Sequence, residues 1–173
     1  MDFKKLFSGK WISIVSPVNE EYESVHEKDI IIVLPIIEKN GKKLYGIRYE
    51  HCPPYYLKDN KVRNYYTVLS GKIEEGEEPS KTVVRELEEE SGVKALVFEL
   101  KNIAENIPIC KSTDMRAYVY VMRISEYERV EAIGDGTKSE ELSKTVWVSE
   151  ENLHKLDKID NKDFLLVSLL KFI

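Results

Sequence analysis

Two cysteines, Cys52 and Cys110, are all the thiol chemistry this 173-residue chain has. Neither has a Cys-x-x-Cys partner or a nearby histidine pair, so a zinc site built on thiolates is excluded. Histidine is as scarce: His26, His51 and His154 are scattered and show no ligand spacing. A long apolar run is also missing. The longest, residues 30–37, is far shorter than the roughly 20 residues that cross a bilayer. The first ten residues mix charges with a few apolar side chains and lack the apolar core of a signal peptide. A cytoplasmic location with reduced thiols is the expectation that follows. There is no basic excess either. Lysine and arginine number 26 against 31 aspartate and glutamate, a net charge of −5. That argues against an extended nucleic-acid footprint, because phosphate backbones attract basic surfaces. It leaves room for a small phosphate-bearing ligand if a bound cation supplies the positive charge. With no repeat, low-complexity tract or linker, residues 1–173 read as one domain.

The pattern that is present mixes strands and helices. Residues 11–18 read as a first strand. Residues 29–37, rich in Ile, Val and Leu, suit a strand buried on both faces. Lys39-Asn40-Gly41-Lys42 signals a turn, with 43–49 as the returning strand. Residues 51–63, with Pro53 and Pro54, read as an exposed loop, and 65–69 as a short strand leading into Gly71. The clearest helix spans 79–91, opened by Pro79 and ended by Ser91-Gly92, with Val83, Val84 and Leu87 as its apolar stripe. Residues 93–103, 116–124 and 144–148 read as strands. Ser149 caps a following helix, and 163–172 form a last one. The order lacks strict strand–helix alternation. That favours an α+β or layered α/β/α arrangement over a doubly wound sheet.

One segment carries chemistry. Gly71-Lys72-Ile73-Glu74-Glu75-Gly76-Glu77 is followed, seven residues on, by Arg85-Glu86-Leu87-Glu88-Glu89-Glu90-Ser91-Gly92-Val93. Glu86, Glu89 and Glu90 stand at i, i+3 and i+4, so a helix brings their carboxylates to one face. Three like charges there are unfavourable unless a cation joins them. Hard divalent cations prefer such oxygens, and magnesium commonly bridges carboxylates to phosphates. Glu77 and Arg85 are placed to pair across the loop. Gly71 and Gly76 let the backbone turn tightly and approach a ligand. Glu88, on the other side of the helix, reads as solvated.

This segment resembles the Nudix box, G-x5-E-x7-R-E-U-x-E-E-x-G-U with U aliphatic, and it matches every fixed position. The resemblance implies an α+β fold of Nudix type, an α/β/α sandwich with a mixed central sheet. It implies hydrolysis of a pyrophosphate bond with Mg2+ or Mn2+. Glu86, Glu89 and Glu90 would then be metal ligands, with Ser70 offering a carbonyl, and Glu77, Arg85 and Gly92 would be structural. Looser likenesses point to the ADP-ribose pyrophosphatase group. They are Ser8-Gly9-Lys10-Trp11, the run 30–37 followed by Tyr45-Gly46-Ile47-Arg48-Tyr49-Glu50, and the tail from Ile159 into an apolar helix.

Two departures bear on substrate choice. Leu69 and Ser70 stand where that group has a proline and a small residue. The candidate substrate loop, Cys110-Lys111-Ser112-Thr113-Asp114-Met115, lacks the usual Pro-Gly. Expected substrate contacts are Arg48, Gly71 and Ser112, with a structural role equally open to Arg48. A further carboxylate is expected from the loop 134–143, Glu141 before Glu140, with Glu89 as the other candidate base. Tyr55, Tyr56, Tyr65 and Tyr66 could stack on a base or simply pack. The substrate would be a small nucleotide, best ADP-ribose. A nucleoside triphosphate, another nucleotide sugar or a dinucleotide is the alternative, and a non-catalytic Nudix ligand sensor is the reading of another class. No nucleic acid or membrane partner is expected. The resemblance also implies a homodimer, with N-terminal strands in 1–27 reaching the neighbouring subunit.

Overall fold

The structure, a computed structural model, describes residues 3–10, 12–18, 22–51, 64–134, 141–156 and 161–172. Its axis is β4 (Ile30–Lys39), whose residues 31–37 are all buried. Alternation along the strand sends the even residues Ile32, Leu34 and Ile36 into one core, with Tyr45, Ile47, Val68, Leu153, Leu166 and Leu169. The odd residues Ile31, Val33 and Ile37 face the other, with Leu69, Val83, Leu87, Met122 and Ile124. A strand with two apolar faces must lie between two layers, so the expected double burial is met.

β5 (Lys42–His51) returns from β4 through Asn40 and Gly41, at φ 52° and 72°. Two residues with positive φ make a type I′ turn, whose twist matches that of the flanking strands. β9 (Arg116–Arg129) runs parallel to β4 on its other edge, and β8 (Val93–Pro108) lies antiparallel beyond it. β10 (Lys144–Ser149) covers the far edge of β5. The expectation of a single strand over 65–69 is corrected. β6 (Asn64–Thr67) pairs with β5, whereas β7 (Leu69–Lys72) pairs with β4. β4 and β5 are paired only from Ile36↔Tyr45 to Lys39↔Lys42. Beyond that they part, and the diverging halves take β7 and β6 as neighbours. The mixed seven-stranded sheet therefore opens into a fork.

Helix α1 (Pro79–Ser91) covers one face, burying Thr82, Val83 and Leu87. Helices α2 (Glu150–Leu156) and α3 (Phe164–Leu169) cover the other with Leu153, Leu166 and Leu169. This is the expected α/β/α sandwich around a mixed sheet. Asp163 caps α3 by accepting from the Leu166 N–H at 3.0 Å, and the chain then turns once as a 3₁₀ helix, Leu170–Phe172. The last helix is thus shorter than the apolar pattern suggested. β8 and β9 run past their expected ends, because each long strand supplies the other's partner beyond the core.

The N-terminus forms its own antiparallel sheet. β1 (Phe3–Ser8), one of the strands expected within 1–27 but not located there from the sequence, pairs with β2 (Ser13–Pro17), and β2 with β3 (Ser24–His26). Backbone bonds from Val25 N–H to Ser112 O (2.8 Å) and from Asp114 N–H to Val25 O (3.1 Å) pin it to the main domain. Leu6 and Phe7 of β1, and Ile12 and Val18 on either side of β2, are exposed.

Candidate active site

Pro79 opens α1 and Gly92 ends it in the left-handed region at φ 61°, donating its N–H to Glu88 O. A side chain at Gly92 would also collide with Val130 O, 2.6 Å from an ideal Cβ. These two stops set the helix phase, and the phase decides which glutamates look inward.

Arg85 organises the first group. Its Nε and Nη2 grip the two oxygens of Glu77, each at 3.1 Å. Nη1 donates to Glu86 Oε1 at 2.8 Å and to Glu89 Oε2 at 2.9 Å, while Nη2 also reaches Lys72 O at 3.0 Å. The expected Glu77–Arg85 pair is therefore present. The bidentate hydrogen bonds pull the Glu77 carboxyl from its ordinary 4.5 to about 2, and Glu77 in turn holds the Arg85 guanidinium above its usual range. Glu77 also accepts from the Glu74 N–H at 3.2 Å, which closes the loop before the helix.

Gly71 lies directly under Glu86. A Cβ there would stand 1.9 Å from Glu86 Cδ, so only glycine leaves space for that carboxylate. Ser70, one residue earlier in β7, pairs with Ile32. Glu90 belongs to a second group. Arg48, 4% exposed in its side chain, lies with Nε 3.3 Å from Glu90 Oε1. Arg48 Nη1 donates to the Glu90 carbonyl at 3.1 Å, and Thr145 Oγ1 donates to the same carbonyl at 2.9 Å. The sequence leaves Arg48 either a substrate phosphate or a structural role; in the structure its guanidinium is buried against Glu90. Thr145 had no signal in the sequence, because one threonine in a strand is unremarkable until the fold sets it against a helix end. Glu50, next along the same face of β5, has its carboxyl pushed up by burial, with Arg48 pulling it down.

The remaining expected residues are dispersed. Ser112 is exposed; its carbonyl accepts from Val25 N–H and its hydroxyl lies 3.2 Å from Cys110 Sγ. These contacts tie it to the N-terminal sheet and to its own loop. Glu141 is exposed and helical rather than in a loop, and the two residues after it are anchored: Leu142 O accepts from Asn64 Nδ2 at 3.0 Å and Ser143 Oγ from His51 N–H at 2.9 Å. Glu140, with Trp11, Cys52, Tyr55 and Tyr56, lies outside the described residues. Tyr65 is buried, and Tyr66 packs on Tyr49 with ring centroids 4.8 Å apart, so both pack as the alternative reading had it.

Among the described residues, no three His, Cys, Asp or Glu side chains already converge as a metal cage. Arg85 holds Glu86 and Glu89 on one nitrogen, and Arg48 holds Glu90. The donor set nevertheless fits a hard divalent cation: every candidate ligand is an oxygen, three come from one helix face, and Gly71 leaves the cradle in which Glu86 sits. A groove of about 890 Å³ runs along the Glu88 and Glu89 side of α1, walled by Val84, Arg85, Glu88 and Glu89 and by Phe98, Leu100 and Ile133. Gly71→Ala should fold but push Glu86 aside, weakening Mn2+ binding by about tenfold or more in a calorimetric titration. Unchanged binding would show that Glu86 has other room to occupy.

No curated protein matches the chain in sequence. Solved structures match it in shape. A crystal structure of an ADP compounds hydrolase superposes with a TM-score of 0.64 at 12% identity, over 99% of this chain and 91% of that one. At that identity the likeness speaks for the fold. The NUDIX domain family matches residues 29–169, from the start of the central strand through α3. That span contains the glycine cradle, the Arg85 hub and all three inward glutamates. The chain belongs to the Nudix hydrolase family.

Proposed function

We propose that this protein hydrolyses the pyrophosphate bond of a nucleoside diphosphate linked to a second group, with ADP-ribose, cut to AMP and ribose 5-phosphate, as the preferred substrate. The observation that carries the reading is the intact set of Glu86, Glu89 and Glu90, with Gly71 left bare for the first of them. A sensor that had lost catalysis would have no need to keep all three. The preference for ADP-ribose is supported by the strand and tail likenesses in the sequence and by the shape match to an ADP compounds hydrolase. The groove beside Glu89, about 890 Å³, is of a size that takes a nucleotide-sized ligand.

Magnesium or manganese, held by Glu86, Glu89 and Glu90 with the Ser70 carbonyl, would neutralise the diphosphate and lower the pKa of a water. The chain's own part is positional and acid–base. Arg85 holds Glu86 and Glu89 side by side on one nitrogen. A carboxylate takes the water proton as its oxygen bonds to one phosphorus, and the P–O bond to the other phosphate breaks. Glu141 is the favoured base, ahead of Glu140; the two residues after it are tethered to β6 and β5, which supports a fixed position for it.

A panel of ADP-ribose, NADH, UDP-sugars, dinucleoside polyphosphates and nucleoside triphosphates, with Mg2+ and with Mn2+, tests the reading. ADP-ribose should be cut fastest, EDTA should abolish turnover, and Glu90→Gln should cut kcat by roughly a hundredfold or more without unfolding the chain. Faster cleavage of triphosphates or UDP-sugars would reassign the substrate; binding without cleavage would make the protein a sensor.

Glu141→Gln should lower kcat by about a hundredfold or more with little change in substrate binding. Glu140→Gln should do much less. If neither matters, the base is Glu89.

The N-terminal sheet supports assignment as a homodimer arm. A β1–β2 hairpin is marginal alone in water, and Leu6, Phe7, Ile12 and Val18 give it an exposed apolar surface to bury against a second copy. Light scattering should find twice the 20.1 kDa chain mass at micromolar concentration. A particle of single-chain mass there would refute the arm.

A further inference from the structure

We propose that Arg48 is a positioning residue that presets Glu90 for the metal, acting through that carboxylate rather than on the substrate. The inference rests on the reading of Glu90 as a ligand. Strand alternation puts Arg48 on the α1 face of β5, in the half of the strand that has already parted from β4. The fork leaves space there for a guanidinium, and the helix closes over it: Arg48 is 3% exposed. One side chain then holds a single residue at two points. Nε lies 3.3 Å from Glu90 Oε1, and Nη1 bonds the Glu90 carbonyl at 3.1 Å. Thr145 of β10 completes the clamp, donating to the same carbonyl at 2.9 Å with its hydroxyl 3.5 Å from Arg48 Nη1. Glu90 is the next-to-last residue of α1, where a helix frays most easily. Two strands thus fix both the main chain and the carboxylate at a position in the last turn, where the helix alone would not.

Stability by itself explains this arrangement poorly. A buried ion pair returns little net energy compared with apolar residues of the same volume, since both charges leave water. What it supplies is direction. Groups behind a metal ligand orient it, and their loss commonly costs about 10- to 100-fold in metal affinity. A lysine at position 48 would keep the charge but lose the planar fork that reaches side chain and carbonyl together. Arg48→Lys therefore separates position from charge.

The test is calorimetric Mn2+ binding to the substrate-free protein, alongside thermal melting, for the parent, Arg48→Lys, Thr145→Val and Thr145→Ser. Arg48→Lys should weaken Mn2+ binding by about tenfold or more. Thr145→Val should weaken it in the same direction, and Thr145→Ser, which keeps the hydroxyl, should bind as the parent does. In turnover assays the loss should appear as a raised Mn2+ requirement, with substrate KM little changed at saturating metal. If folded Arg48→Lys and Thr145→Val both bind Mn2+ within about twofold of the parent, the clamp is structural only and the proposal fails. Should Arg48→Lys not fold, the Thr145 pair decides. A parent that binds no Mn2+ would instead overturn the metal reading itself, and this inference with it.

Discussion

Crowding of negative charge on one helix face is the constraint around which this molecule is organised. Glu86, Glu89 and Glu90 occupy adjacent positions on α1, and Glu77 lies just ahead of it. Two like charges about 4 Å apart repel by roughly 4 kcal/mol in a partly screened protein environment. The fold answers with two guanidinium groups. Arg85 takes Glu77, Glu86 and Glu89, and Arg48 takes Glu90. Arginine suits both places because its fork meets several acceptors at once and its charge is permanent. The result is a cluster of carboxylates whose repulsion is offset by fixed positive charge, and carboxylate oxygens are what a hard cation prefers.

Backbone geometry makes the arrangement feasible. The parting of β4 and β5 admits β7 and β6 and so brings Gly71 and Arg48 under the same helix from two different strands. A continuous pairing of β4 with β5 would leave no place for β7, and the Gly71 cradle would not exist. The apolar side of α1, Val83 and Leu87 against Ile31, Val33 and Met122, holds the helix at this height over the sheet. Core and site are therefore one construction: the residues that bury the helix also set the distance at which Glu86 touches Gly71.

Much of this was legible in the sequence. The fully apolar run in β4, the Asn40-Gly41 turn and the Pro79 and Gly92 stops of α1 each have a local physical cause, so each could be read locally. The box spacing identified the glutamates and the Glu77–Arg85 pair for the same reason, since a helix and one loop relate those residues. The separation of β6 from β7 was not legible, because only the choice of partner strand distinguishes two short strands from one. β1 was not located either, as its charged and apolar residues follow no clean alternation.

What the sequence determined by itself is the chemistry on α1: which residues lie on one helix turn, and what such a set of oxygens binds. Only the tertiary structure decided the partners of those residues. Met along the chain, Arg48 reads equally as a phosphate ligand or as a structural residue, and Thr145 reads as nothing in particular. They meet Glu90 because β5 and β10 pair with each other and pass beneath the C-terminal turn of α1. Contacts between residues 42 and 55 positions apart depend on strand pairing and layer packing, which no local periodicity encodes.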